Sequence, residues 1–192
     1  MKEILLIGAG GHCKAVIDVI EFEGLYKIAG IVEKADSPKN DLLGYKIIGN
    51  DSDLDDLSKH YKYALITVGQ VKTSSIRKKL FNLAIQSGFI LPNIISPNSY
   101  ISRHSELGRG VVVMHNSVIN SNVKIGDNCI INSKALIEHD SQIYDNNHIS
   151  TNATINGSVI IESDCFIGSG AIVKELTTIK QGSFIKAGTI VK

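Results

Sequence analysis

From Ile95 to Val191 every sixth residue is isoleucine, leucine or valine, running Ile95, Ile101, Leu107, Val113, Ile119 and onward without insertion to Ile179, Ile185 and Val191. Four residues after most of them stands a small side chain, as at Ser117, Cys129, Ala135, Ala153 and Ala171. A helix repeats its apolar face every 3.6 residues and a strand every 2, so neither produces a strict six. A hexapeptide solenoid does. Each hexad is a short strand and a corner, three hexads close a triangular coil, and coils stack at about 4.8 Å. The first and fifth residues of each hexad point inward, and the others face out or turn the corner. About five and a half coils, a stack roughly 25 Å tall, fit between Ile95 and Lys192. Cys129 and Cys165 are fifth-position residues two coils apart, roughly 9.6 Å on that spacing, which is beyond disulfide reach.

The first ninety residues follow a different pattern. Residues 2–7 form an apolar strand that runs into Gly8-Ala9-Gly10-Gly11-His12. Residues 13–23 have helical apolar spacing, closed by Gly24. Strands are expected at 26–32, 45–48, 63–68 and 89–91, with a polar loop over 33–41. Helices are expected from Ser52 and over 74–87. This alternation predicts a parallel sheet covered on both faces, a Rossmann-like α/β domain over residues 1–92 followed by the solenoid over 93–192. Where a strand meets a helix through glycines, the backbone can approach a phosphate closely and free N–H groups face it. Gly10, Gly11 and His12 are therefore candidate ligand contacts. Glu33, at the end of the second strand, is placed to hydrogen-bond a ribose. Cys13 stands where a dinucleotide fingerprint has its third glycine, which counts against NAD.

Charge and composition remove several classes. The net charge is +1, so no field favours nucleic acid or an anionic membrane. No apolar run approaches the roughly 20 residues that cross a bilayer. The apolar part of the N-terminus is too short for a signal peptide, so a cytoplasmic protein is expected. Cys13, Cys129 and Cys165 have no metal-ligand spacing, and no metal is expected.

Among the outward solenoid positions, Ile137-Glu138-His139-Asp140 sets a histidine at a corner with a carboxylate directly after it. One coil further along that corner is Gly157, whose missing side chain leaves space beside the imidazole, and one coil before it is Ser121. His148 lies half a coil away from His139 and leaves the prism elsewhere. A pocket that uses both histidines is better built between neighbouring prisms, which predicts a homotrimer with interfacial sites.

The turn Gly8-Ala9-Gly10-Gly11-His12-Cys13-Lys14, followed by hexads that contain Asn132 and Glu138-His139-Asp140, resembles the NeuD/PglD group of bacterial sugar acyltransferases across almost the whole chain. That resemblance implies a left-handed parallel β-helix that binds acetyl-CoA after a small domain that binds a nucleotide sugar. It implies His139 as general base, Asp140 as the carboxylate tuning it, and Gly157 as a backbone oxyanion donor. His148 is implied at the acetyl carbonyl or thioester, and Asn132 in the sugar pocket. Gly10, Gly11 and His12 would hold a UDP-sugar, with Glu33 near the ribose. Lys174, Lys180, Lys186 and Lys192 share the second hexad position, and Lys174, Lys186 and Gly188 lie on the coils along which family members bind CoA. The implied reaction is acetyl transfer to the 4-amino group of a UDP-linked amino-dideoxy sugar in glycan biosynthesis. O-acetylation of sialic acid and a non-catalytic trimeric scaffold are the alternatives.

Overall fold

The computed structural model describes all 192 residues as two compact units. One comprises residues 1–69 and 75–92, the other residues 70–74 and 93–192. The division is therefore not a single cut in the chain: five residues that follow the fourth expected strand belong with the solenoid.

In the first unit, β1 (Lys2–Ile7) lies between β2 (Tyr26–Val32) and β5 (Tyr63–Ile66), parallel to both. Ile4, Leu5, Leu6 and Ile7 are all fully buried. A continuous apolar run rather than an alternating one is what a strand covered on both faces requires. Helix α1 (Gly11–Glu23) ends at Gly24, whose left-handed backbone (φ 69°) lets its N–H reach the Ile20 carbonyl. The sheet order is β3-β4-β2-β1-β5, where β3 (Asp41–Leu42) and β4 (Tyr45–Gly49) form an antiparallel hairpin. Its turn places Leu43 and Gly44 at φ 52° and 85°, the geometry of a two-residue hairpin. The sequence reading expected only loop before β4, because a two-residue strand is too short to show a period. The helix expected from Ser52 is a single 3-10 turn (Asp51–Asp53), capped by Asn50, followed by the four-residue α2 (Leu54–Leu57). Helix α3 (Ser75–Gln86) forms as expected. The strand expected at 89–91 is reduced to one bridge between Tyr63 and Ile90.

The second unit is a parallel β-helix of two-residue strands. Each strand ends on a sixth-position aliphatic: β6 is Ile94–Ile95, β7 is Tyr100–Ile101, β8 is Glu106–Leu107, and so by sixes to β22, Ile190–Val191. Every third strand pairs in register, as Val118 with Leu136 and Ile119 with Ile137, which builds three walls. The second residue of each pair enters one continuous core from Ile95 to Val191. The first residue points away from the axis.

The corners explain the polar half of the repeat. From Gly110 to Gly188, the fourth residue of every hexad has positive φ, and most of these residues are asparagine, aspartate or glycine. These side chains tolerate the left-handed region that bulkier L residues avoid. Asn147 is the departure from small fifth positions. It is fully buried, and its amide is satisfied by donating to the Tyr144 carbonyl (2.8 Å) and accepting from Cys165 N–H (2.7 Å).

Close stacking also demands glycine on a wall. A Cβ on Gly168 would lie 2.5 to 2.7 Å from backbone atoms of residues 185–187 on the next coil. Gly168→Ala is expected to destabilise the protein by about 1–3 kcal/mol, read from a shifted urea midpoint with an unchanged slope.

Candidate active site

The second hexad corner after β12 (Ile130–Ile131), at residues 138–140, carries the candidate chemistry. Asp140 is itself a fourth-position corner residue (φ 63°), so the left-handed backbone turns its side chain back toward the residue before it. His139 Nδ1 donates to Asp140 Oδ2 at 2.7 Å. Asp140 Oδ1 accepts from Asn122 Nδ2 at 2.7 Å, one coil earlier on the same corner. These two bonds, that from Asn122 foremost, hold the Asp140 carboxyl below its ordinary value. Asn120 Nδ2 makes the parallel bond to Glu138 Oε2 at 2.6 Å. With its proton on Nδ1, the neutral His139 ring leaves the lone pair on Nε2. The ring lies against Gly157: a Cβ there would stand 2.8 Å from Cε1 and 3.0 Å from Nε2.

The backbone at Gly157 follows the rule of the prism, in which no third-position N–H bonds to a backbone carbonyl of the neighbouring coil. Asn156 and Ser158 donate their N–H groups to the neighbouring coil, but that of Gly157 makes no such bond. At three other third positions the N–H holds a carboxylate oxygen. Arg109 N–H donates to Asp127 Oδ1 (2.7 Å), Asp127 N–H to Asp145 Oδ1 (2.8 Å), and Gln181 N–H to Glu162 Oε2 (2.9 Å). Gly157 N–H is thus an outward donor of the kind that binds negative oxygen in this protein.

His148 lies on β15 (His148–Ile149), on a different wall from β13 (Leu136–Ile137) that leads to His139. It is buried, and its bonds define its tautomer. Nδ1 lies 2.5 Å from the Gln70 carbonyl, which only accepts, so Nδ1 carries the proton. Nε2 lies 3.1 Å from Asn132 Nδ2, and Asn132 Oδ1 accepts from Ser133 N–H at 2.8 Å. Asn132 and His148, expected in separate roles, are therefore one hydrogen-bonded pair. Gln70, buried, also donates to the carbonyls of Asn146 (2.9 Å) and Cys165 (3.1 Å), and Ser74 donates to Asp164 (2.8 Å). Sequence reasoning missed Gln70 because nothing in a short turn after β5 points to a solenoid coil. Asn122 carried a signal, its spacing of one coil from Asp140.

Of the expected CoA contacts, Lys174 forms an exposed ion pair with Glu175 (3.8 Å). Lys186 and Gly188 are exposed, Gly188 at a corner with φ 67°.

In the first unit, Gly8 (φ 109°) packs so tightly that a Cβ would meet Val68 Cγ2 at 2.4 Å. Gly10 and Gly11 have open space where a side chain would stand, and no side chain caps the start of α1. Ala9 N–H donates to the Glu33 carboxylate and Ala9 O accepts from Lys39. Glu33 thus anchors the turn itself. His12 Cβ would lie 3.3 Å from a Cβ on Gly69. A cavity of about 210 Å³ is lined by Gly8, Val32, Glu33, Lys34, Asp51, Val68, Ile76 and Leu80.

Other chemistries find little footing. Burial pushes the Cys13 thiol up to about 11, and burial also raises that of Cys165, which disfavours the thiolate a nucleophile needs. No group of three His, Cys, Asp or Glu side chains is arranged to hold a metal ion. No helix is long and apolar enough to cross a membrane.

Residues 3–84 match the model of the PglD N-terminal domain, and residues 104–139 match bacterial transferase hexapeptide repeats. The acetyltransferase domain of PglB from Neisseria gonorrhoeae is 30% identical over 100% of this chain and 92% of that one, with a TM-score of 0.91. This chain belongs to the NeuD/PglD family of hexapeptide-repeat sugar acetyltransferases. The same PglB domain in complex with acetyl coenzyme A is matched at 29% identity, over 99% of this chain and 92% of that one, with a TM-score of 0.89. Perosamine N-acetyltransferase from Caulobacter crescentus, as a His-to-Asn mutant with CoA and GDP-perosamine, is 28% identical over 95% and 94% of the two chains, with a TM-score of 0.81. No curated protein matches the sequence. The solenoid of this family member is a left-handed parallel β-helix.

Because the Asn122 bond is the largest cause of the lowered Asp140 pKa, Asn122→Ala is expected to move that pKa up toward the ordinary aspartate value. The native carboxylate is favoured by folding, so its contribution is present at neutral pH and lost as pH falls through the folded pKa. Carboxyl NMR titration of the two proteins checks the shift.

Proposed function

We propose that this protein transfers the acetyl group of acetyl-CoA to the amino group of a nucleotide-linked amino sugar, with His139 as general base. The observation that carries the reading is the His139 ring, oriented by Asp140, with Nε2 against a glycine whose N–H has no partner on the next coil. A thioester is already activated, so catalysis reduces to orienting the amine, removing a proton and stabilising the oxyanion. The amine nitrogen attacks the thioester carbon, and the Gly157 N–H donates to the oxygen as it becomes negative. His139 Nε2 takes the amine proton, the C–S bond breaks as the tetrahedral species collapses, and the proton passes to the CoA sulfur. Asp140 stabilises the imidazolium in between. Direct transfer is favoured because all three cysteines are buried.

The buried pair of Asn132 and His148, held by Gln70, would shape the acceptor and thioester end of the pocket. Lys174, Lys186 and Gly188 would meet the CoA, and Gly10, Gly11 and His12 the nucleotide sugar. A UDP-linked 4-amino-4,6-dideoxy sugar is the acceptor we favour from the resemblance of the turn. The GDP-perosamine bound to the Caulobacter relative makes a GDP-linked amino sugar the second reading. A cytoplasmic site of action suits a nucleotide-activated substrate.

We also propose that the active form is a homotrimer. One wall turns a mostly apolar column outward (Tyr100, Val118, Leu136, Thr154, Ile172 and Ile190), with Tyr100 59% and Ile190 62% exposed. The adjacent wall carries Glu106, Lys124 and Gln142 in the same positions. A contiguous apolar face suits contact with another copy, and it would let His139 and His148 of different copies meet. Sedimentation is expected to give a trimer, and a fully active monomer would exclude the interfacial site.

Release of free CoA is the deciding assay, run with UDP- and GDP-linked amino sugars and with free nonulosonic acids. Turnover is expected with a nucleotide-linked amine; turnover with a hydroxyl acceptor alone would mean O-acetylation, and none with any acceptor would leave a scaffold. His139→Ala is expected to lower kcat by about 10²–10⁴-fold with acetyl-CoA affinity kept. Gly157→Ala, which displaces the ring, should cost on the order of 10²-fold while the thermal midpoint changes little.

A further inference from the structure

Residues 70–74 lie between β5 and α3 in the chain, yet they belong to the β-helix unit. Both ends of this segment are pinned there. Gln70 Nε2 donates to the carbonyls of Asn146 (2.9 Å) and Cys165 (3.1 Å), and Ser74 Oγ donates to Asp164 Oδ1 (2.8 Å). Asn146 and Asp164 are left-handed corner residues (φ 57° and 66°) one coil apart, so the segment crosses two rungs of one corner column. Gln70 is buried, and its Oε1 has no partner. An unpartnered buried oxygen is unfavourable, and this amide carries one while both of its N–H groups hold carbonyls.

What this anchorage positions is the Gln70 carbonyl, which accepts from His148 Nδ1 at 2.5 Å. Phe166, one coil above, meets the same ring edge-on with centroids 5.2 Å apart, so the imidazole is fixed in rotation as well as in protonation. Each following group then has one role. Nε2, without a proton, can only accept, and Asn132 Nδ2 faces it at 3.1 Å. Ser133 N–H can only donate, and it faces Asn132 Oδ1 at 2.8 Å. Turning the amide over would set its oxygen against a lone pair and its nitrogen against an N–H. The chain of bonds ends at the second Nδ2 hydrogen of half-buried Asn132, which has no acceptor in the protein.

We infer that Gln70 is a positioning residue: its carbonyl, held in place by its own side chain, keeps the His148 proton on Nδ1 and so makes Asn132 present an N–H rather than a carbonyl. The consequence for recognition rests on the acetyl-transfer reading above. Asn132 binds an oxygen of the substrates and leaves the N–H groups of the incoming amine alone. With the proton on Nε2 the amide would turn, and its oxygen would hold the amine instead. Gln70 itself touches no reacting atom.

The test is long-range ¹H–¹⁵N NMR on the full chain labelled at histidine, with the His148 signals identified by their loss in His148→Gln. Wild type is expected to show a neutral His148 protonated on Nδ1. Gln70→Met keeps the side-chain length and removes the anchoring N–H groups together with the unpartnered oxygen. Its His148 is expected to move its proton to Nε2 in a measurable fraction of molecules. Asn132→Asp sets an acceptor at Nε2 while the Gln70 carbonyl still holds Nδ1–H, so His148 is expected to be doubly protonated at neutral pH. In turnover assays Gln70→Met should lose on the order of tenfold in kcat/KM, the worth of one hydrogen bond. A rise in acceptor KM assigns the bound oxygen to the sugar, and a fall in kcat alone assigns it to the acetyl carbonyl. A wild-type His148 protonated on Nε2 overturns the inference. So does folded Gln70→Met with an unchanged tautomer, or with unchanged kcat and KM. If Gln70→Met does not fold, Asn132→Asp decides, because a neutral His148 protonated on Nε2 there overturns the role of the Gln70 carbonyl. The spectra need no turnover, so a wild-type protein that acetylates no acceptor overturns the functional reading and leaves the tautomer assignment standing.

Discussion

Coil-to-coil register in the β-helix is the constraint on which everything in the second unit depends. A parallel stack of two-residue strands is stable only if each coil repeats the backbone path of the one below, because every strand borrows its hydrogen bonds from its neighbours. Two sequence requirements follow. An aliphatic side chain must enter the core at each sixth position, and a residue tolerant of positive φ must turn each corner. Asn, Asp and Gly at the fourth positions are as much a part of the repeat as the isoleucines.

The same register builds the chemistry. Because coils superpose, residues one coil apart become lateral neighbours, and the site is assembled by that translation alone. Asn122 reaches Asp140, Asn120 reaches Glu138, and His139 lies against Gly157. The corner backbone serves twice. At Asp140 the left-handed turn places the carboxylate on the imidazole, and third-position N–H groups point outward, where Arg109, Asp127 and Gln181 use theirs to hold carboxylates. Gly157 presents its third-position N–H beside the His139 ring.

Where the period was long, the sequence was readable. The spacing from Ile95 to Val191 marks every strand of the solenoid, and the coil length alone sets Gly157 beside His139. Strand β1 and helices α1 and α3 were legible from apolar runs and closing glycines. Short elements were not: β3 has two residues, α2 has four, and a 3-10 turn capped by Asn50 stood where a helix was expected. Asn147 broke the small fifth-position pattern, and only its satisfied amide explains how a polar group sits in the core.

The sequence by itself determined the solenoid, its register and the corner that joins His139, Asp140 and Gly157, because one repeated spacing sets all of these distances. Only the tertiary structure decided what surrounds His148. The Gln70 carbonyl that fixes its proton on Nδ1 comes from a segment 78 residues away in the chain, and no local pattern encodes a hydrogen bond made across such a separation. Likewise the corner at 122, 140, 158 and 176 is visible as a spacing, but that Leu176 holds a left-handed backbone with its side chain in the open is a matter of dihedral angle and exposure. Periodicity specifies which residues are neighbours. Direction, tautomer and exposure follow only once the chain has closed on itself.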